Sequence, residues 1–475
     1  MKRVFSNIVY QSFFQLVKIL VQILTVPIVS KALGPDNVGL YKFSNSIVGY
    51  FVLFAGLGIV LYGQRQIALY KDDKDKLQKT FCEIETLSII VTSLSFIVYL
   101  VISFIFRFPF VFIIQAISIV SVLLDVSWFF MGIEDFKLPS LRSTLISIST
   151  FICIILFIKN EHDLYLYIMI VVGGTFLSQL VMWPFLLTKI SFRMVPIRNA
   201  FKHLKGAISF FLPTVAITFY TTMNITILGF FSSNAMVGYY SNALVLSTIV
   251  TTMITTIDTV MLPKITNLYQ LDNKNKILGI LQTTLNIPFY FTIPAYFGVV
   301  LISEKLVPWF MGDDFLFVVK IIPYLSLLII LKPIGLGISR QYLLPIGRIK
   351  EYNFTLVLAA AVGLISNLIF IPLFGIWGAI FTSVFAELVV VVSRMIPFLK
   401  ETSFKYQYND FIYYLAASVI MYATTYIITL NWQANIFTTI LQILIGALIY
   451  LFVTTSLKRN PVINLLKDRN LIFKK

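Results

Sequence analysis

Apolar residues in this chain come in long runs, interrupted at short intervals by polar turns. Fourteen runs are long enough to cross a hydrocarbon layer of ~30 Å as helices. They fall at 8–32, 41–62, 81–104, 110–131, 142–158, 164–187, 207–231, 238–261, 280–302, 316–338, 353–373, 375–397, 410–430 and 434–457. The fifth is short, and only Phe374 separates the eleventh from the twelfth. Helices are expected throughout, because a helix satisfies its own backbone in lipid. Lys2-Arg3 ahead of the first run superficially resembles a secretory leader. The run is too long for one, and Gln15, Lys18 and Gln22 interrupt it, so it reads as a retained first helix.

Composition agrees with the pattern. Of 475 residues 58% are hydrophobic and 12% charged, and the mean hydropathy is +0.90. Soluble domains carry about a quarter charged residues, so a polytopic membrane protein is expected. The net charge of +16 is spread in small groups between apolar runs, which argues for membrane orientation over nucleic-acid binding. With the N-terminus inside, and with Lys31, Lys42, Arg142 and Arg394 near span ends counted with the adjoining loops, 29 of the 37 Lys and Arg fall in inner segments, 5 in outer loops and 3 within spans. That is the positive-inside distribution. It places both termini in the cytoplasm and needs an even number of spans.

Segments outside the runs are short. The longest inner one, TKISFRMVPIRNAFKHLKG at 188–206, follows the sixth run, carries five basic residues and reads as a cytoplasmic linker between halves. NVGLY at 37–41 and MVGYY at 236–240 stand at the outer end of the second helix of each half. A parallel repeat of six plus six helices is a transporter signature, with the substrate path between lobes. The expected organisation is an N-terminal lobe at 1–187, the linker at 188–206, a C-terminal lobe at 207–400, and two extra helices with a basic tail at 401–475. The fold class is therefore all-α.

Polar residues inside the runs supply the candidate site. Gln11, Gln15, Lys18, Gln22 and Thr25 are spaced +4, +3, +4, +3 and share one face of helix 1. Such a stripe either joins helices by hydrogen bonds or faces a water-filled cavity. Lys18 lies near mid-membrane, where a charge costs ~2.5–3.5 kcal/mol unless it meets water or a partner, and this favours the cavity. Helix 7 carries Thr214, Thr218, Thr221 and Asn224 on a similar, uncharged stripe, although threonines also bond back to their own helix. Asp125, Asp258, Lys332 and Glu387 are further intramembrane charges. Arg394 follows Glu387 on the same face, Asp258 reads as interfacial, and Lys332-Pro333 with Gly335 and Gly337 predicts a broken helix 10. Structural pairing and a transport role, as coupling or gating sites, are equally open for Asp125 and Glu387. In LLDVSWFFMGIEDFK, 123–137, Asp125 lies just inside the inner surface. Trp128, Phe129 and Phe130 are expected at the aromatic belt and Glu134, Asp135 and Lys137 in water.

Several chemistries are excluded. Cys82 and Cys153 lie in or beside runs, and no disulfide is expected. His162 and His203 lie on opposite sides, so no metal constellation forms. No nucleotide-binding loop is present, no cofactor is implied, and no loop is large enough for a catalytic domain. The chain reads as a secondary-type transporter rather than an enzyme.

DVSWFFMGIEDFK also resembles the helix-4 signature of Wzx-type flippases. These form the polysaccharide-transporter branch of the multidrug/oligosaccharidyl-lipid/polysaccharide exporter superfamily. The resemblance continues through SKALGPDNVGLY, YFVLFAGLGIVLYGQRQIALYKDDKDKLQKTF, VGYYSNA, TVMLPKITNLY, PWFMGDDF, RQYLLPIGRIKEYN and LISNLIFIPLFGIWGAIFTSVFAELV. One departure is MNITILG in helix 7, where such flippases often carry an aspartate and a basic residue before Leu-Gly. The resemblance implies outward flipping of polyprenyl-pyrophosphate-linked oligosaccharides by alternating access, for capsule, exopolysaccharide or cell-wall polysaccharide assembly. It implies a bacterial cell membrane, an undecaprenyl-pyrophosphate-type substrate, and a polymerase and other polysaccharide-assembly proteins as partners. A lipid II flippase and a multidrug exporter of the same superfamily are the alternatives. Lys18 with Gln11, Gln15 and Gln22, together with Asn224 and Lys332, would then line the substrate path. Arg65 in GQRQIA would meet the pyrophosphate at the inner end of helix 2 or serve as a positive-inside anchor. Helices 13 and 14 would cover or groove the lipid tail.

Overall fold

The computed structural model describes residues 2–270 and 274–461, without the side chains of 2–16, 18, 257, 259, 260, 263, 264, 270 and 274–276. Among the described residues every regular element is helical. Thirteen helices are long and apolar enough to cross a membrane. The first, Ile19–Leu69, has 51 residues, and a crossing takes ~20, so it holds two of the fourteen expected spans. The chain divides into two compact units, Met1–Gly238 and Tyr239–Lys475.

The first unit contains α1 (Lys2–Gly56), α2 (Ile59–Leu69), α3 (Lys74–Ser103), α4 (Pro109–Gln115), α5 (Ile117–Leu123), α6 (Ser127–Gly132), α7 (Lys137–Phe157), α8 (Leu164–Leu180), α9 (Trp183–Leu187), α10 (Ile197–Ala200) and α11 (Leu204–Phe231). α1 is broken at Gly34, whose φ of 70° and ψ of 173° are non-helical, and Pro35 prevents the helix from running on. α3 starts at Asp73, whose carboxylate accepts from the Lys76 N–H at 3.1 Å. That bond and the Lys76 ammonium hold the Asp73 carboxyl below its ordinary range. α11 packs on α1 and α2 and so belongs to this unit.

The fourth span is three short helices rather than one. Its second break falls at Asp125, whose carboxylate accepts from the Ser127 N–H at 2.9 Å. This is a turn that aspartate offers the backbone in competition with the helix. The Leu124 carbonyl freed there accepts from Trp183 Nε1 at 3.1 Å. The belt expected at Trp128–Phe130 is not found. All three side chains are at most 1% exposed and form the core of the inner part of this unit with Phe81, Ile67 and Tyr62. The reason is local. Gly63 lacks the Cβ that would stand 2.5 Å from the Trp128 ring, so the indole lies on α2 and stacks on Phe81 at 5.1 Å and 17°. Glu134 and Lys71 form an exposed ion pair of 2.9 Å just beyond.

The second unit contains most of α12 (Asn234–Gln270), then α13 (Lys274–Thr284), α14 (Ile287–Met311), α15 (Phe317–Leu325), α16 (Leu328–Ile338), α17 (Ile349–Phe374), α18 (Ile376–Glu401), α19 (Tyr408–Thr429) and α20 (Ile436–Ser456). The tenth span is broken as expected. It divides into α15 and α16 and then passes through a π-helical turn, Ser339–Leu343. Such turns widen the helix and re-aim its side chains. In α19 and α20, Ser418, Thr425, Thr429, Gln442 and Thr454 are buried while Ile427, Phe437 and Phe452 are exposed. Polar seams inside and apolar side chains outside suit helices packed in lipid.

Candidate functional site

The expected substrate stripe begins on α1. Gln11, Gln15 and Lys18 have side chains outside the described residues. Gln22 is exposed and Thr25 bonds back to the Val21 carbonyl at 2.7 Å. On α11, Thr214 and Thr221 bond back to the Phe210 and Ile217 carbonyls at 3.1 and 2.9 Å. Asn224 is buried on the same helix. Two residues on, Thr226 donates to Ser46 Oγ at 2.9 Å and meets the Tyr50 hydroxyl at 3.0 Å, a polar seam with α1. Sequence reading missed Ser46 and Tyr50, since each is a single polar residue in an apolar run. Arg65 is exposed on α2.

The part of the first unit where α11 begins holds a second polar group. His203, at the entrance to α11, bonds the Tyr62 hydroxyl through Nδ1 at 2.7 Å and Glu83 through Nε2 at 3.0 Å. This ties α11 to α2 and α3. Nearby, a cavity of about 540 Å³ is lined by Asp75, Lys76, Lys79, Cys82, Arg193 and Asn199 among others, a recess with more cations than anions.

Deeper in the same unit lie three charged groups. Asp125 is half-buried at the α5–α6 break. Arg142 on α7 is 8% exposed, donating through NH1 to Gln179 Oε1 at 3.0 Å and through NH2 to Ser143 Oγ at 3.3 Å. Its charge acts on Asp125. Glu85 on α3 is 3% exposed, feels the charge of Asp125, and has no hydrogen-bond partner on either carboxyl oxygen. Of the three, only Asp125 was singled out from the sequence. Glu85 was legible as an acid inside the 81–104 run, and Arg142 as the first residue of the 142–158 run.

The second unit has its own charged sites. Lys332 is half-buried on α16, directly before Pro333. Glu387 and Arg394 are both buried on α18. Arg394 donates through Nε to Thr355 Oγ1 at 3.0 Å and through NH1 to the Gly335 carbonyl at 2.9 Å, and lies 5.3 Å over the Tyr352 ring. It thereby joins α16, α17 and α18. Asp258 is shielded by the protein. It is 2% exposed and accepts from Gln341 Nε2 at 2.7 Å, and Gln341 Oε1 accepts from Thr284. The π turn makes the difference, since Gln341 lies in it and is carried to Asp258. An apolar cavity of about 380 Å³ opens among α12, α14, α19 and α20, walled by Pro294, Gly298, Met421, Ile443, Gly446 and Ala447 among others.

These features define an all-helical, multi-pass membrane protein with polar groups buried in its units and apolar side chains outside. The same architecture is seen in the solved "Lipid II flippase MurJ, inward closed conformation", with a TM-score of 0.75 and 19% identity over 95% of this chain and 99% of that one. Residues 4–269 match the family described as Polysaccharide biosynthesis protein. With more than half of it matched, the chain belongs to that family. It is 26% identical over 419 residues to the "Putative O-antigen transporter" of Escherichia coli (strain K12), covering 83% of this chain and 96% of that protein. It is 22% identical over 240 residues to the "Probable low-salt glycan biosynthesis flippase Agl15" of Haloferax volcanii, covering 50% of each. The resemblance read from the sequence is borne out at the level of the family.

Proposed function

We propose that this protein flips a lipid-linked oligosaccharide from the inner to the outer leaflet by alternating access. The near end-to-end relationship to an O-antigen transporter supports a saccharide-bearing substrate. The observation that carries the lipid-linked part is the cavity beside α19 and α20. Its wall is apolar apart from Gln442 and the tyrosines 290 and 450, so it suits a polyprenyl chain and offers little to a charged drug. The cationic recess with Lys79 and Arg193, and the exposed Arg65, suit a pyrophosphate arriving from the cytoplasmic leaflet. Lys18 and the helix 1 amides would then take the anionic head across, with Asn224 and Lys332 along the path. An undecaprenyl-pyrophosphate-type carrier, a bacterial plasma membrane, cytoplasmic termini, and a polymerase acting on the product complete this reading. In this reading 401–475 serves the tail.

The test is reconstitution. Purified protein in liposomes should move a fluorescent undecaprenyl-pyrophosphate oligosaccharide to the opposite leaflet, read as fluorescence lost to an impermeant quencher. Equal rates with empty liposomes would refute the reading. Transport of lipid II but no other saccharide carrier would move the protein to the peptidoglycan alternative.

A further inference from the structure

Glu85 is the one described carboxyl whose two oxygens are both buried without a hydrogen-bond partner. An ionised carboxylate so placed would carry a desolvation cost of several kcal/mol with nothing to offset it. The groups around it give no counter-charge. Of the elements packed on α3, the α5–α6 junction contributes Asp125, another acid. Arg142 on α7 is spent on Gln179 and Ser143, and its charge reaches Asp125. His203, before α11, faces Glu83 on the same helix, not Glu85. From the loop after α9, Arg193 contributes a backbone N–H to Cys82 Sγ, and Arg65 on α2 is exposed. The arginine therefore reaches Asp125, and Glu85 is left facing that second acid without a cation of its own. With one acid balanced by Arg142, the second is left over, and it is the more deeply buried.

We propose that Glu85, with Asp125 beside it and Arg142 behind, is a proton-exchange site of this protein. Glu85 holds a proton as the neutral acid while the inner part of the first unit is closed around it. When that region opens and water reaches the carboxyl, the O–H bond breaks, the proton passes to water and the carboxylate remains, solvated and drawn toward Arg142. Closing again requires a proton to be taken back. Each opening thus releases one proton and each closing takes one up, which deepens the flippase reading by tying closure of this part of the first unit to protonation of Glu85. Asp125 is a positioning residue here, because its charge sets how firmly Glu85 keeps the proton.

The test uses the full-length protein, purified in detergent, with dicyclohexylcarbodiimide, which modifies protonated carboxyls in apolar surroundings. Peptide mass spectrometry should find Glu85 modified near neutral pH and progressively less so as pH rises. Asp125→Asn removes the like charge and frees Arg142, so the midpoint of labelling should fall by about one pH unit or more. Glu85→Gln should abolish modification of that peptide while the protein elutes as the wild type does. If that variant fails to fold, the wild-type profile and Asp125→Asn still decide. An unmodified Glu85 at every pH from 5 to 9 in folded protein, or a midpoint unmoved by Asp125→Asn, overturns the proposal. Protection of Glu85 by sodium at fixed pH also overturns it, assigning the site to sodium instead. None of these readouts uses a transport substrate, so their failure is distinguishable from failure of the flippase reading.

Discussion

At the scale of single residues, two glycines show how tightly the first unit is closed. A Cβ on Gly39 would stand 1.7 Å from the Asn234 carbonyl oxygen and 2.9 Å from the Gly238 N, so the two Val-Gly-x-Tyr segments meet backbone to backbone. Asp36 reinforces the contact by accepting from the Ala235 N–H at 3.1 Å. Gly39→Val should therefore disfavour this arrangement and lower transport at least several-fold with normal membrane insertion. Wild-type flipping by this variant would show that the close approach is dispensable. Gly63→Ala meets the Trp128 ring, and overpacking of this kind costs about 1–3 kcal/mol. A lower midpoint in a thermal unfolding scan is expected. Lys18→Ala should abolish surface polymer with the protein still in the membrane, and Lys18→Arg should retain part of it, and a normal polymer level in Lys18→Ala would remove the cationic-cavity reading of helix 1. The sequence exposes such residues unevenly. A lysine at mid-run is visible because lipid makes it expensive. Trp128 was misplaced because the belt rule weighs an aromatic by its position in the run, whereas its burial depends on Gly63, 65 residues earlier.

At the scale of elements, hydrophobic run length gave every crossing, since a lipid-spanning helix must satisfy its backbone whatever it packs against. Breaks were legible only where proline or glycine marked them, as at Gly34-Pro35 and around Pro333. The break at Asp125 was not, because it arises from one side chain bonding a neighbouring N–H. The π turn escaped for a similar reason, having no sequence rule of its own, and with it the burial of Asp258. The α19–α20 pair carries a prediction of its own. A Cβ on Gly446 would have only ordinary contacts with Met421 and Thr425, so Gly446→Phe can be accommodated while its ring fills the apolar cavity. Capture of a polyprenyl-phosphate probe should fall about tenfold, with the helices intact by circular dichroism. Unchanged capture would mean that the tail lies elsewhere.

At the scale of the whole molecule, the positive-inside count and the 188–206 segment lead to the expectation that Asn199 is cytoplasmic. Asn199→Cys in the cysteine-free protein should react with an impermeant maleimide only after the cells are opened. The same orientation fixes the sign of the driving force. On the proposed function, a pyrophosphate-linked substrate would carry about two negative charges outward, and an inside-negative potential favours that movement by ~2.3 kcal/mol per charge per 100 mV if the full field is crossed. Two charges give up to ~4–5 kcal/mol on the same basis. An ammonium such as Lys18 that travels with the head would cancel part of this. Outward flipping in proteoliposomes at equal pH on both sides should therefore quicken as a valinomycin-clamped potential is made more negative inside. A rate indifferent to potential, yet strictly dependent on a proton or sodium gradient, would sink this expectation. It would mean that the charge moved outward with the substrate is balanced, ion for ion, by cations carried with it or anions carried inward.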